Sequence, residues 1–325
     1  MENNYPVRRN GYLYSKGTKA GFLRMQRQGI PRPLFSIQDK LANLLRSRYK
    51  ALTRKLLKDL RAQCKVNNIV MDAAPEDDNL DSLLKFFDDM KKEFEKQQEE
   101  NEKAIGRINL NTVANTLEHQ WLEEDQGEEP EFFVKKIGDV FKEEQGDYIK
   151  RLLSDADGKT AQILQSFAID KQKFFDDNME AVRKLYLDNS IARIRGEEEL
   201  IKRRILQKII DYATGKSATL ELTDLVKEAY TSTDHLARLF ARDQMQRFNK
   251  ACTLATFKSA AVTKVKWVTV GDGRVRNKSY VDKQGRLHRA HTELNKQIFD
   301  INDLPIEIDD YNCRCGLVPV EWADD

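Results

Sequence analysis

Lys264-Val265-Lys266-Trp267-Val268-Thr269-Val270 alternates polar and apolar side chains and is rich in β-branched residues. A period of two puts one set of side chains on one face of a strand. Gly271-Asp272-Gly273 follows as a turn. Lys296–Ile301 and Leu317–Trp322 are further short strand candidates, the second with Val318, Val320 and Trp322 on one face. Upstream of Lys264 the period is helical. In Leu222–Ala260, the residues Ala241, Met245, Phe248, Cys252 and Ala255 recur at four-three-four-three spacing, a core stripe. Cys252 therefore reads as a buried apolar residue and not a ligand. Arg242 and Asn249 share another face, placed to hydrogen-bond the segment that follows. The expected fold class is α+β: mainly long α-helices, an arm or stalk, followed by a small C-terminal α+β domain with a short β-sheet.

Moving toward the N-terminus, the helical signal barely stops between about residues 75 and 260. Asp81–Lys103 carries Leu84, Phe87 and Phe94 among many charges, and Pro130 marks a turn into the next helix. Lys159–Asp188 carries Ile163, Phe167, Phe174, Met179, Val182 and Tyr186, and Ile191–Tyr212 is strongly charged. Gly215-Lys216-Ser217 is a break. Narrow apolar stripes on charged helices suggest an elongated arm. The first helix is expected to start with Ser36 as N-cap and Asp39 three residues on. Its stripe runs Ile37, Leu41, Leu45, Tyr49, Leu52, Leu56, Leu60. Residues 1–34, broken by Gly11, Gly17, Gly21, Gly29, Pro31 and Pro33, read as an extended basic tail. The expected organisation is tail 1–34, helical arm 35–221 and C-terminal domain 222–325.

Of 325 residues, 33% are charged, above the roughly 25% of an average domain, while 40% are hydrophobic, enough for a core. The net charge of +2 conceals two opposed blocks. Residues 1–61 hold fifteen basic and three acidic side chains, a net of +12, whereas 72–131 hold nineteen acidic and six basic, a net of −13. The basic block could neutralise phosphates of double-stranded DNA or dock on an acidic protein. No run approaches the ~18 apolar residues of a membrane span, and no apolar stretch follows Arg8 and Arg9 as in a signal peptide. A soluble, cytoplasmically made protein is expected. Four cysteines are too few for a secreted disulfide scaffold.

Chemistry-bearing residues gather in the last hundred positions. In order they are Arg242-Asp243-Gln244 and Asn249, Trp267-Val268-Thr269, Asp272, Arg274-Val275-Arg276, His291, Leu294-Asn295 and Asn312-Cys313-Arg314-Cys315. This arrangement resembles the phage Mu protein F-like family of minor head proteins, also called phage head morphogenesis proteins. The resemblance covers roughly residues 222–320. Fourteen residues separate Arg276 from His291, an insertion that includes Tyr280, Gly285 and His288, where the family usually has a few. Lys296 stands where the family often has glycine after Leu-Asn. Leu294-Asn295 favours His291 over His288 as the family's histidine. The resemblance implies a low-copy minor capsid component of a tailed bacteriophage, in the capsid interior at the portal vertex of the virion. It also implies the portal protein and a major capsid or scaffolding protein as partners, with roles in procapsid assembly and DNA packaging or ejection. It implies no enzyme and no membrane.

His291, Cys313 and Cys315, with Asp272 as a fourth donor, suit tetrahedral Zn²⁺. The competing reading is an Asp/Arg/His hydrogen-bond network around a turn, with the cysteines as core thiols and Arg276 or Arg314 paired with Asp272. Two alternatives to a morphogenetic role follow from the same residues. One is a nuclease-like enzyme using Asp272, Arg276 and His291, although no second base or paired carboxylate for Mg²⁺ accompanies them. The other is a zinc-stabilised DNA-binding protein.

Overall fold

Apolar periodicity of 3.6 and then of 2 is realised as long helices followed by a small antiparallel sheet. The structure is a computed structural model that describes residues 7–9, 12–14, 28–31, 34–66, 112–124, 131–156, 158–214, 221–270, 275–310 and 313–323. The helices are α1 (Phe35–Val66), α2 (Glu131–Asp155), α3 (Gly158–Asp170), α4 (Gln172–Ala213), α5 (Glu221–Ser259) and the single turn α6 (His291–Leu294). Residues 112–118 are also helical and run into a π-helical turn, His119–Glu124. Strands β1 (Val7–Arg9) and β2 (Tyr12–Tyr14) pair antiparallel. So do β4 (Tyr280–Val281) and β5 (Leu287–His288). The C-terminal sheet has the order β6-β3-β7, with β3 (Val262–Val268) between β6 (Ile298–Asp300) and β7 (Gly316–Trp322). The segment Asp81–Lys103 and the break Gly215-Lys216-Ser217 lie outside the described residues.

The chain folds into two compact units that interleave in sequence. One holds Met1–Leu41, Lys135–Asn189 and Leu239–Asp325; the other holds Ala42–Val134 and Ser190–Arg238. Consecutive boundaries at 34/35 and 221/222 do not match this division. The reason is that α1, α4 and α5 are continuous helices whose two ends belong to different units.

In the second unit, Leu45, Tyr49, Leu56 and Leu60 of α1 are buried, as the helical spacing predicts, while Leu52 is half-buried. Trp121 is buried with them in that unit; its indole N–H donates to Asp59 Oδ2 (3.1 Å), and its carbonyl accepts from Lys202 Nζ (2.8 Å). The basic side chains of α1 are not all turned to solvent. Arg48 grips Glu198 with two N–H groups, at 2.5 and 2.9 Å, and Arg46 pairs with Asp234. Bidentate geometry of this kind fixes orientation as well as charge. Part of the positive block is thus spent on intramolecular pairs.

In the first unit, α1 begins one residue earlier than expected. The Leu34 carbonyl accepts from Ile37 N and Gln38 N, both at 3.2 Å, so Ser36 lies inside the first turn and is not the cap. Lys159–Asp188 is not one helix, since it breaks at Lys171 between α3 and α4. Nor is all of 1–34 an extended tail. β1 and β2 form a ladder, and Ile30 is buried against Val268 and Val270. Gly316 makes room for it: a Cβ there would meet Ile30 Cδ1 at 2.7 Å. Gly29, with φ of 78°, turns the chain into this contact.

The α5 stripe packs against α2 and α4. Phe248 meets Phe141 at 4.8 Å and Tyr186 at 5.7 Å between ring centroids, and Ala241, Met245 and Cys252 are fully buried. Asn249 departs from expectation. Its amide donates to Glu144 Oε1 on α2 (2.8 Å), not to the segment that follows. Tyr148 and Thr253 bond beside it (2.8 Å).

Glu144 carries a pH prediction. Burial pushes its carboxyl from 4.5 up to about 7, against the Asn249 hydrogen bond and Arg151 at 3.7 Å. Between those values the folded chain holds a proton that the unfolded chain has lost. Stability is therefore unaffected by Glu144 at lower pH, falls as pH rises from about 4.5 to about 7, and then levels off. At ~1.4 kcal/mol per pKa unit the amplitude is up to ~3 kcal/mol. Glu144→Gln keeps the acceptor for Asn249. It is expected to flatten this slope and to exceed the unsubstituted protein in stability at about pH 8, measured by urea unfolding.

Candidate functional site

The site forms where five separated segments of the first unit meet. α6 starts at His291, whose N–H donates to the Arg276 carbonyl (2.9 Å), so the Arg-Val-Arg segment directly supports the histidine. The turn Ile306–Asp309 delivers Asp310, and the Cys313 N–H donates to the Asp310 carbonyl (3.1 Å). Cys313 and Cys315 lead into β7. Trp267 of β3 is fully buried, and its ring and that of His291 meet edge to face, with centroids 5.7 Å apart.

Asp310 is the hub. Its Oδ2 receives His291 Nε2 (2.8 Å) and Arg276 Nη1 (2.7 Å), and its Oδ1 receives His288 Nδ1 (2.8 Å). Arg276 also donates to the Arg289 carbonyl (2.6 Å). His288 stacks on Tyr280 (4.6 Å) and reaches Asp282 through Nε2 (3.2 Å). Desolvation would raise Asp282, but hydrogen bonds from Arg286, His288 and Gln284 hold it well below the ordinary carboxylate range. Nε2 of His291 faces the Asp310 carboxylate, so Nδ1 is the ring nitrogen turned toward the two sulfurs. Nδ1 lies 3.5 Å from Cys313 Sγ and 3.4 Å from Cys315 Sγ.

The charges follow this arrangement. Burial would raise the Cys313 thiol, but the Cys315 hydrogen bond and the charges of Lys250 and His291 hold it well below its usual value. Cys315 moves the other way, pushed up by the same bond and then by burial. Burial would lower His291, but Cys313 and Asp310 keep it above its usual value. Cys252 and Cys64 are buried, as expected of core thiols, and burial raises both, Cys64 to about 12.

Of the residues singled out from sequence, Trp267, Arg276, His291, Cys313 and Cys315 come together. Arg314 is half-buried and lines a cleft with Lys250, Asn249 and Tyr148. Arg242 is half-buried on α5, while Asp243 is buried, paired with Arg247 (3.0 Å) and in contact with Gln244 Nε2 (3.3 Å). Asp272, Arg274 and Asn312 lie outside the described residues. Among the described residues, the carboxylate that meets His291 and Arg276 is Asp310. Sequence reasoning passed over Asp310 and Lys250, whose Nζ donates to the Ile308 carbonyl (3.0 Å). The available signal for Asp310 was its place three residues before Cys313, close enough to share one turn. His288 and His291 do not compete for one role, since both bind Asp310 through different oxygens.

Two further motif positions have a physical role. The Asn295 side chain accepts from the Thr269 N–H (3.1 Å), tying Leu-Asn to the Trp-x-Thr strand. Lys296 has φ of 71°, in the left-handed region that favours glycine. Its N–H donates to the Trp267 carbonyl (2.8 Å), so the conformation is held in place. Lys296→Gly is expected to raise stability by about 1 kcal/mol in thermal or urea unfolding.

Neither family models nor solved structures match the chain. An uncharacterized protein of Haemophilus influenzae is 27% identical over 146 residues, which is 44% of this chain. The match spans 27% of that protein's length. None of the described helices is long and apolar enough to cross a membrane.

Proposed function

We propose that the chain is a minor capsid protein of a tailed bacteriophage, acting in head morphogenesis at the portal vertex. One observation carries the reading: motif segments that resemble the Mu F-like pattern, spread from Trp267 to Cys315, bond to one another in a single site. Thr269 meets Asn295, Arg276 supports His291, and His291 faces Cys313 and Cys315. The departure at Lys296 also fits, because that position has a glycine-like backbone. On this reading the protein is not an enzyme. It is made in the host cytoplasm and stays in the virion, with the portal, the major capsid or scaffolding protein and packaged DNA as partners.

The nuclease alternative fits the geometry less well. His291 is buried, one ring nitrogen is held by Asp310, and the other faces two sulfurs. A general acid–base needs reach to its substrate. Mass spectrometry of purified particles from a host carrying this reading frame tests the proposal. The chain is expected at low copy alongside the portal protein. Its absence from particles, with normal heads after deletion of the frame, would overturn the reading.

A further inference from the structure

We propose that His291, Cys313 and Cys315 form a zinc centre that cross-links α6 to the segment entering β7. The three donor atoms lie within 4.8 Å of one another and are buried. Zinc bonds of about 2.3 Å to sulfur and about 2.05 Å to nitrogen at a tetrahedral angle give an N–S edge of about 3.6 Å. The observed Nδ1–sulfur separations are 3.5 and 3.4 Å. A hydrogen bond explains these distances less well, because Nδ1 can make only one and stands almost equally far from two sulfurs. A cation between the three donors satisfies all of them at once.

The surroundings are those of a metal ligand. A zinc-bound imidazole commonly donates its other N–H to a carboxylate, which fixes ring and tautomer. Asp310 does this for His291, and it is itself fixed by Arg276 and His288. The buried Trp267 indole N–H lies beside Cys315 and, among the described residues, has no hydrogen-bond acceptor of normal geometry. The site ties short loops around a three-stranded sheet, where a small apolar core supplies limited folding energy and a metal staple adds to it. Nothing here depends on a role in phage heads, so either reading can fail without the other.

The test uses the full chain. Elemental analysis after purification without chelator, repeated after addition of stoichiometric zinc and desalting, is expected to find one zinc per chain. Cobalt in its place should give the intense thiolate-to-metal charge-transfer band and visible bands of a tetrahedral site. Cys313→Ser and Cys315→Ser should each weaken zinc retention by at least tenfold. The double variant Cys64→Ser/Cys252→Ser should keep it, which controls for the cysteines elsewhere. Folded protein that holds no zinc after loading would overturn the proposal. So would a Cys313–Cys315 disulfide in protein isolated under reducing conditions, or zinc lost only in the Cys64/Cys252 variant.

Discussion

Asp310→Ala is expected to destabilise the folded chain by about 3–5 kcal/mol, enough to consume a large part of the stability of an ordinary domain. The carboxylate is buried and receives three partners: His291, His288 and Arg276. Removing it leaves the Arg276 guanidinium and His291 Nε2 without their carboxylate, while His288 keeps only Asp282. That penalty, more than the loss of the bonds themselves, sets the size of the effect. Asp310→Asn should recover part of it, because one amide oxygen can still accept while the amide nitrogen opposes a donor. Urea unfolding followed by circular dichroism measures both. A loss below about 1 kcal/mol for the alanine variant would mean that solvent screens the network and that Asp310 is not its hub.

Trp267→Ala is expected to cost a similar amount, about 3–5 kcal/mol, for a different reason. Trp267 is fully buried on the central strand of the sheet, opposite Leu317 on β7. Its backbone also bonds Lys296 and Gln297, so the strand and the following loop are fixed at one residue. Truncation opens a cavity beneath the His291 ring that the sheet cannot close without breaking its register. Trp267→Phe keeps most of the volume and should recover more than half of the loss. Calorimetric or urea midpoints compare the variants. A mild alanine effect would show that the space refills from neighbouring side chains.

How much of this was legible in the sequence depended on distance along the chain. The stripes of α1 and α5 were readable because a helical face is set by neighbours three and four residues apart. The strands β3, β6 and β7 were readable from alternation, although β3 starts two residues earlier than its pattern suggested. His291, Cys313 and Cys315 were readable as a group because their residue types share a chemistry. Their carboxylate was not. Asp310 carries no mark in the sequence that sets it apart from the other aspartates, and only folding brings it to His291. Asn249 shows the same limit, since its partner Glu144 lies 105 residues earlier.

The sequence by itself determined an α+β chain of long helices ending in a small sheet, with a dense constellation of polar residues in its last third. These are consequences of local periodicity and residue chemistry. Only the tertiary structure decided that the compact units interleave, that Ile30 belongs to the core above Gly316, and that Arg48 spends its charge on Glu198. It also decided that Asp310 fixes the ring whose other nitrogen faces two sulfurs. Each of those depends on groups brought together from far apart in the chain, where burial and hydrogen-bond geometry choose among chemically equivalent side chains.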